Sequence, residues 1–236
     1  MSYRKLNVGC GFDKREGYTN VDLNSFHAPD LVADIINIFQ VEDGAAEEVL
    51  ANDVLEHVPG TRVMPALVEW NRLLCRGGEL RLRVPDLVSV AKMIISGEQG
   101  NGVIDMLYGT QSYIGDFHMS GFTSKSLTSM LDQSGFALSS LEVTHGWLLS
   151  ASARKVRSVR SRAFELAKNE KLNDLEYVKA IYVALLDREA DDGGLQHFAN
   201  SLAEGVRDRY QIISTIFHSD EGRAKGARLV EAANER

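Results

Sequence analysis

Between the strand-like run LNV (6–8) and the next, TNVD (19–22), the stretch LNVGCGFDKREGYTNVD leaves no room for a crossover helix. Parallel neighbours are ordinarily joined through a helix, in a connection of a dozen residues or more. Phe12 to Asn20 must therefore cross as a compact loop, and a helix dipole cannot be counted on there to hold a ligand's carboxylate. Gly9 and Gly11 follow the first run, where glycine permits a sharp turn and exposes backbone N–H groups to a polar or anionic group. A dinucleotide fingerprint would need a third glycine where Lys14 stands, and an acid about 20 residues further on. Asp22 comes much sooner, and no GK[ST] follows to make a Walker loop.

The rest of the first 155 residues has the rhythm of a parallel α/β sheet. Short apolar, β-branched runs, KLNV (5–8), YTNV (18–21), EEVLA (47–51) and ELRLRV (79–84), are each followed by a turn or a helical period. Leu67, Trp70, Leu73 and Leu74 predict a helix over 64–74, with Pro65 in its first turn and Gly77-Gly78 as its stop. After Pro85-Asp86 a long section reaches Phe122 and reads as helical pieces at 88–95 and 103–108 with glycine-rich loops, a cap over the sheet. A further helix is expected over 124–135, followed by an edge hairpin from ALSSLEV (137–143) and WLLSASA (147–153). The basic run RKVRSVRSR (154–162) is read as an amphipathic helix with a solvated basic face, and everything from Leu172 onward as small and all-α.

A length of 236 residues suits one full domain plus an appendage, and a formal net charge of −7 argues against a general nucleic-acid binder. No signal-peptide or membrane-span pattern occurs, so a cytoplasmic location is expected. Cys10 and Cys75 have no CxxC spacing, which argues against a disulfide or zinc framework.

Five segments in order carry a resemblance: LNVGCG, GYTNVD, Leu31-Val32-Ala33-Asp34, NDVLEHVP (52–59), and RLLCRGG followed by LRLRVPDL. Over residues 3–155 the chain resembles the small class I S-adenosylmethionine-dependent methyltransferases, in particular the compact ones associated with cell-surface polysaccharide. The resemblance implies a Rossmann-like, seven-strand-type methyltransferase sheet ending in an antiparallel hairpin. It also implies S-adenosyl-L-methionine as cofactor, near Asn7, Gly9, Cys10, Gly11, Asp22, Leu23, Asp34, Ile35, Asn52 and Asp53. The chemistry agrees: open glycine backbone can approach the methionine part, and the Asp22 carboxylate can accept hydrogen bonds from both ribose hydroxyls. Asp34 with Ile35 would meet the adenine, and Asn52 with Asp53 the region near the sulfonium.

Methyl transfer to a hydroxyl needs alignment, exclusion of water and a base for the proton. Ligands of open α/β folds bind at the C-terminal ends of the strands, which favours His118 as general base, with Asp86 or Asp53 next. His118 also matches a histidine of the resembling family, and pinning of the cap is its alternative role. Glu56-His57 reads as a capping pair and hinge; a divalent cation among Asp53, Glu56 and His57 is not demanded by spacing, and no metal is expected. Tyr108, Gln111, Tyr113, Asp116 and His118 in the cap suit a sugar or other polyol, while His27, His145, His197 and His218 read as isolated.

Residues 172–222 resemble a small helical domain family of unknown function (DUF4214) found beside glycan-modifying enzymes, through Tyr177, Tyr182, Leu186-Asp187-Arg188, Asp191, Gly194 and Ser219-Asp220-Glu221. An EF-hand is excluded because Asp192 and Phe198 stand where its glycine and glutamate belong. The expected organisation is a methyltransferase domain over 1–155, a helical linker over 156–171 and an all-α domain over 172–236. The expected activity is O-methylation of a sugar or polysaccharide hydroxyl, with the helical domain docking either to a glycan-biosynthesis protein or to a second copy of the chain. Methylation of another small molecule or of RNA, and cofactor binding without turnover, are the alternatives.

Overall fold

The computed structural model describes residues 3–98, 100–113 and 115–233. The chain divides into two compact units, the first reaching to Val159 and the second spanning Arg160–Ala233.

The first unit is built on one sheet of seven strands: β1 (Lys5–Val8), β2 (Thr19–Asp22), β3 (Leu31–Val32), β4 (Ala46–Asn52), β5 (Leu74–Pro85), β6 (Phe136–Thr144) and β7 (Leu148–Lys155). Their order is β3-β2-β1-β4-β5-β7-β6, with β1 to β5 parallel and β7 antiparallel to both β5 and β6. The reversal between β3 and β4 leaves a switch point beside β1, where open α/β sheets bind ligands. No helix joins β1 to β2. The Asn7 amide instead donates to Asp13 O (2.8 Å) and Asn20 Oδ1 (3.0 Å), and Asn20 Oδ1 also accepts from Arg15 N (2.7 Å), which ties the crossing loop down.

Register separates the two faces of the sheet. Leu6, Val49, Leu80 and Ala153 lie side by side, as do Ala51, Leu82 and Ala151, and all are buried. The intervening positions align Lys5, Glu48, Glu79 and Arg154, then Asn7, Leu50, Arg81 and Ser152, then Asn52, Arg83 and Ser150. The apolar face is covered by α1 (Gly60–Leu73) and α4 (Ser124–Gln133), whose Leu67, Trp70, Leu127 and Leu131 are fully buried. Burying one such side chain is worth roughly 1.5–3 kcal/mol. The other face is polar and carries the pairs Lys5–Glu48 (3.0 Å), Arg81–Glu48 (3.5 Å) and Arg83–Asp53. A shallow groove lined by Asn52, Arg83, Glu142, Ser150 and Ser152 runs across it.

Between β5 and α4 the cap forms α2 (Leu87–Ile95) and α3 (Asn101–Tyr108) and a return loop. Two expectations need correction. The first helix begins at Gly60, after Pro59, and stops at Leu73; Gly77 and Gly78 belong to β5, because the chain enters the sheet immediately. The run 154–162 is not one helix: Arg154 and Lys155 extend β7, and the buried Lys155 ammonium donates to Asn71 O and Leu74 O, each at 2.7 Å.

The second unit is mainly helical, with α5 (Arg162–Lys168), α6 (Asp174–Leu186), α7 (Asp192–Ala203), α8 (Arg209–Phe217) and α9 (Asp220–Ala224), but it is not all-α as expected, since Glu231–Ala232 form a short strand. It takes in α5, which lay in the expected linker, and α5 packs on α6 and α8. Arg188 ties its turns by a two-pronged pair to Glu221 (2.5 and 2.6 Å), with Asp191 at 3.5 Å and the Tyr182 ring 5.0 Å below.

Candidate functional site

Side chains with chemistry gather at the C-terminal ends of β1, β2 and β4 in two neighbouring groups. The first is centred on Asp22. Gly9 and Gly11 both have left-handed backbone (φ 64° and 50°). Gly11 N–H donates to Asp22 Oδ2 at 2.8 Å and Asn24 N–H to Oδ1 at 2.8 Å, so the loop is closed onto the end of β2. The two glycines serve different ends. A Cβ on Gly9 would lie 2.0 Å from Val54 Cγ2, so Gly9 is needed for packing, whereas a Cβ on Gly11 meets nothing within 4 Å, so open space faces the loop there. Cys10 is buried; it donates its N–H to Val21 O (3.0 Å), and burial, reinforced by Asp22, pushes its thiol up to about 11.

Aromatic rings surround Asp22. His27, which the sequence left isolated, is buried with Nδ1 3.1 Å from Asp22 Oδ1. Phe12 meets the His27 ring at 4.6 Å, Tyr113 of the cap meets it at 5.8 Å, and Phe12 and Phe26 stand edge to face at 6.1 Å. Phe12 and Phe26 are nevertheless 71% and 79% exposed, and Leu23 is 66% exposed. A carboxylate offers about four acceptor sites, and two N–H groups hold it here, so capacity for a diol remains beside open apolar surface. That donor and acceptor set, with the space at Gly11, fits an adenosine-type ligand.

Other expected contacts lie elsewhere or are already used. Asn7 holds the loop, as described. Asp34 Oδ1 accepts from Ile36 N (3.1 Å), and Ile35 packs in the core with its carbonyl on the Trp70 indole (3.2 Å). Asn52 faces the groove on the polar side of the sheet. Asp53, in left-handed backbone (φ 51°), is clamped by both prongs of Arg83, with Nε 2.9 Å from Oδ1, and is not a free base. Asp86 is corrected likewise: it is the buried N-cap of α2 and accepts from Ser89 N (3.1 Å) and Ser89 Oγ (2.6 Å).

The second group is Glu56, His57 and His118. Glu56 and His57 form a 3-10 turn straight after β4, and the cap is tied to it: Met119 N and Ser120 N donate to Glu56 O at 2.7 and 3.0 Å. Gly109 lets the return loop pass, since a Cβ there would overlap Asp116 O at 1.8 Å. The His57 and His118 rings meet edge to face at 4.9 Å. His57 Nδ1–H donates to Phe117 O (3.2 Å) and His118 Nδ1–H to Met106 O (3.1 Å). Because a carbonyl only accepts, these bonds leave Nε2 of each ring as the nitrogen with a lone pair. Burial, helped by His57, lowers the pKa of His118, which favours the neutral ring. Glu56 is 2% exposed, its Oε2 has no hydrogen-bond partner, and burial, with Asp53 adding to it, raises its pKa to about 8. His118 thus lies in the cap beside His57 and Glu56.

Residues 157–225 match the family model "Domain of unknown function (DUF4214)". Comparison with curated proteins gave no match. Among solved structures, a SAM-dependent methyltransferase of Methanosarcina mazei is 17% identical with a TM-score of 0.50, over 64% of this chain and 92% of its own. S-adenosylmethionine-dependent methyltransferases of Mesorhizobium loti (16%, TM-score 0.47, 65% and 91% covered) and Archaeoglobus fulgidus (15%, 0.46, 65% and 88%) are also similar. The first unit therefore has the fold of the class I SAM-dependent methyltransferases, a seven-stranded sheet ending in an antiparallel hairpin. Among the described residues, no helix is long and apolar enough to cross a membrane.

Proposed function

We propose that the protein transfers a methyl group from S-adenosyl-L-methionine to a hydroxyl of a sugar or polysaccharide. The observation that carries the reading is the Asp22 carboxylate at the end of β2, closed onto by Gly11 and flanked by exposed Phe12, Leu23 and Phe26. Asp22 would hold the ribose hydroxyls, the space at Gly11 would admit the methionine part, and the exposed rings would flank the base. The cofactor supplies a methyl group already activated on a sulfonium, so the chain's own task is alignment and removal of the hydroxyl proton.

His118 Nε2, the lone-pair nitrogen of a ring held neutral by burial, is suited to take that proton. The cap supports a polyol acceptor: Tyr108 and Tyr113 present exposed rings, and Asp116 is ordered by Ser112 and Thr110 on the same loop. Calorimetry tests the cofactor assignment. Asp22→Ala is expected to abolish S-adenosylmethionine binding that the unaltered chain shows, and unchanged affinity would remove the assignment. Methyl-labelled cofactor incubated with surface glycan tests the acceptor: label is expected in glycan, and label appearing in RNA or protein instead would refute it.

A further inference from the structure

We infer that Glu56, His57 and His118 form a binding site for one divalent transition-metal ion. The three residues each offer a ligand atom, and these atoms lie within 4.8 Å of one another. Two independent features show that the cluster is built for a cation. Each imidazole gives its Nδ1–H to a backbone carbonyl, Phe117 O at 3.2 Å and Met106 O at 3.1 Å. That outer bond is the one that orients metal-binding histidines, because it fixes the ring and leaves Nε2 as the donor. Glu56 then places a carboxylate oxygen out of water with no hydrogen-bond donor of its own, an arrangement that costs free energy unless a cation or a proton satisfies it.

The donor set selects the class of ion. Two imidazoles and one carboxylate suit zinc and its neighbours, while magnesium and calcium prefer all-oxygen shells. Three protein ligands leave a coordination position open, which is the pattern of a catalytic and not a structural zinc site. The frame is also held: Met119 N and Ser120 N fasten the cap to the Glu56 carbonyl, and His118 N donates to Tyr108 O at 3.0 Å.

The role of the ion rests on the methyl-transfer reading. At the open position it would bind the acceptor hydroxyl and lower its pKa, so that the proton leaves to water; with the ion bound His118 is a ligand, and this role replaces that of general base. Oxygen would then form its bond to the methyl carbon as the carbon–sulfur bond breaks, with the electron pair going to sulfur.

The test uses the full chain, stripped by dialysis against chelator and titrated with Co2+ while visible absorption is recorded, then with Zn2+ in competition. One equivalent is expected to bind. Glu56→Gln and His118→Ala should each weaken it by more than the roughly 10 to 100-fold that loss of an outer-shell partner costs, and His57→Ala serves if His118→Ala fails to fold by circular dichroism. His145→Ala and His218→Ala, on exposed or terminal positions outside the cluster, should change nothing. Absence of saturable uptake, or uptake that survives Glu56→Gln combined with His57→Ala, would overturn the site. Calorimetry with S-adenosylmethionine on the stripped protein separates the two readings: cofactor binding without metal uptake sinks the site alone, and metal uptake without cofactor binding sinks the methyl-transfer reading while the site stands.

Discussion

The two faces of the sheet in the first unit obey opposite rules. Leu80, Leu82 and Val84 alternate along β5 with Glu79, Arg81 and Arg83; the first set is sealed by α1 and α4, and the second stays with water and with Glu48 and Asp53. Parallel strands are ordinarily buried on both sides and read as continuous apolar runs. Here the connection from β1 to β2 is a loop, and the face that such a crossover helix could cover is made of charges and serines. The missing helix and the missing apolar surface go together, so the sheet stands on one core.

The contrast can be broken most decisively at Leu82. Leu82→Asp places an unpaired carboxylate in the covered core and is expected to cost on the order of 5 kcal/mol, enough to abolish folding. Urea unfolding of a soluble variant within about 1 kcal/mol of the unaltered protein would overturn the face assignment.

Glu56 sharpens the contrast, because its carboxyl is taken out of water with an oxygen that has no hydrogen-bond partner, whereas the equally buried Glu69 is paired with Arg72. Its folded pKa, about 8, lies above the ordinary carboxylate value, so the folded state keeps a proton that the unfolded state releases. Stability of metal-free protein should therefore be highest below the ordinary glutamate range, near pH 4.5, and fall as pH rises toward 8, by at most about 1.4 kcal/mol per pH unit from this group. Glu56→Gln should remove that slope; an unchanged pH profile in thermal unfolding would show that Glu56 is solvated. The smallest effect belongs to the open face. Arg81→Ser breaks only a 3.5 Å pair to Glu48 on a side chain 55% exposed, and a change above about 0.5 kcal/mol would mean that the face is not free.

Much of the fold was legible because it is written in local periodicity. The short connection before Asp22, the hairpin 136–155 and the helices α6 to α8 each follow from spacing within one segment. The single-sided sheet was also legible, in the strict alternation of ELRLRV, although that run was read only as a strand. Asp86 shows the same kind of miss: Asp86 followed by Ser89 is a helix-start signature, and the structure spends the carboxylate there. Other parts had no local signal. His27 reaches Asp22 through a short turn, His57 meets His118 only because the cap returns across Gly109, and Asp53 is occupied by an arginine from the adjoining strand. These juxtapositions depend on tertiary closure, which no window of sequence displays.

The outermost strands also bear on how this molecule behaves in company. At one border β3 is only two residues long, and at the other β6 breaks step between Leu138 and Ser140. The first rim is too short and the second too uneven to offer a full-length ladder of unused amide and carbonyl groups, which hinders recruitment of a foreign strand, the usual first step towards fibrous association.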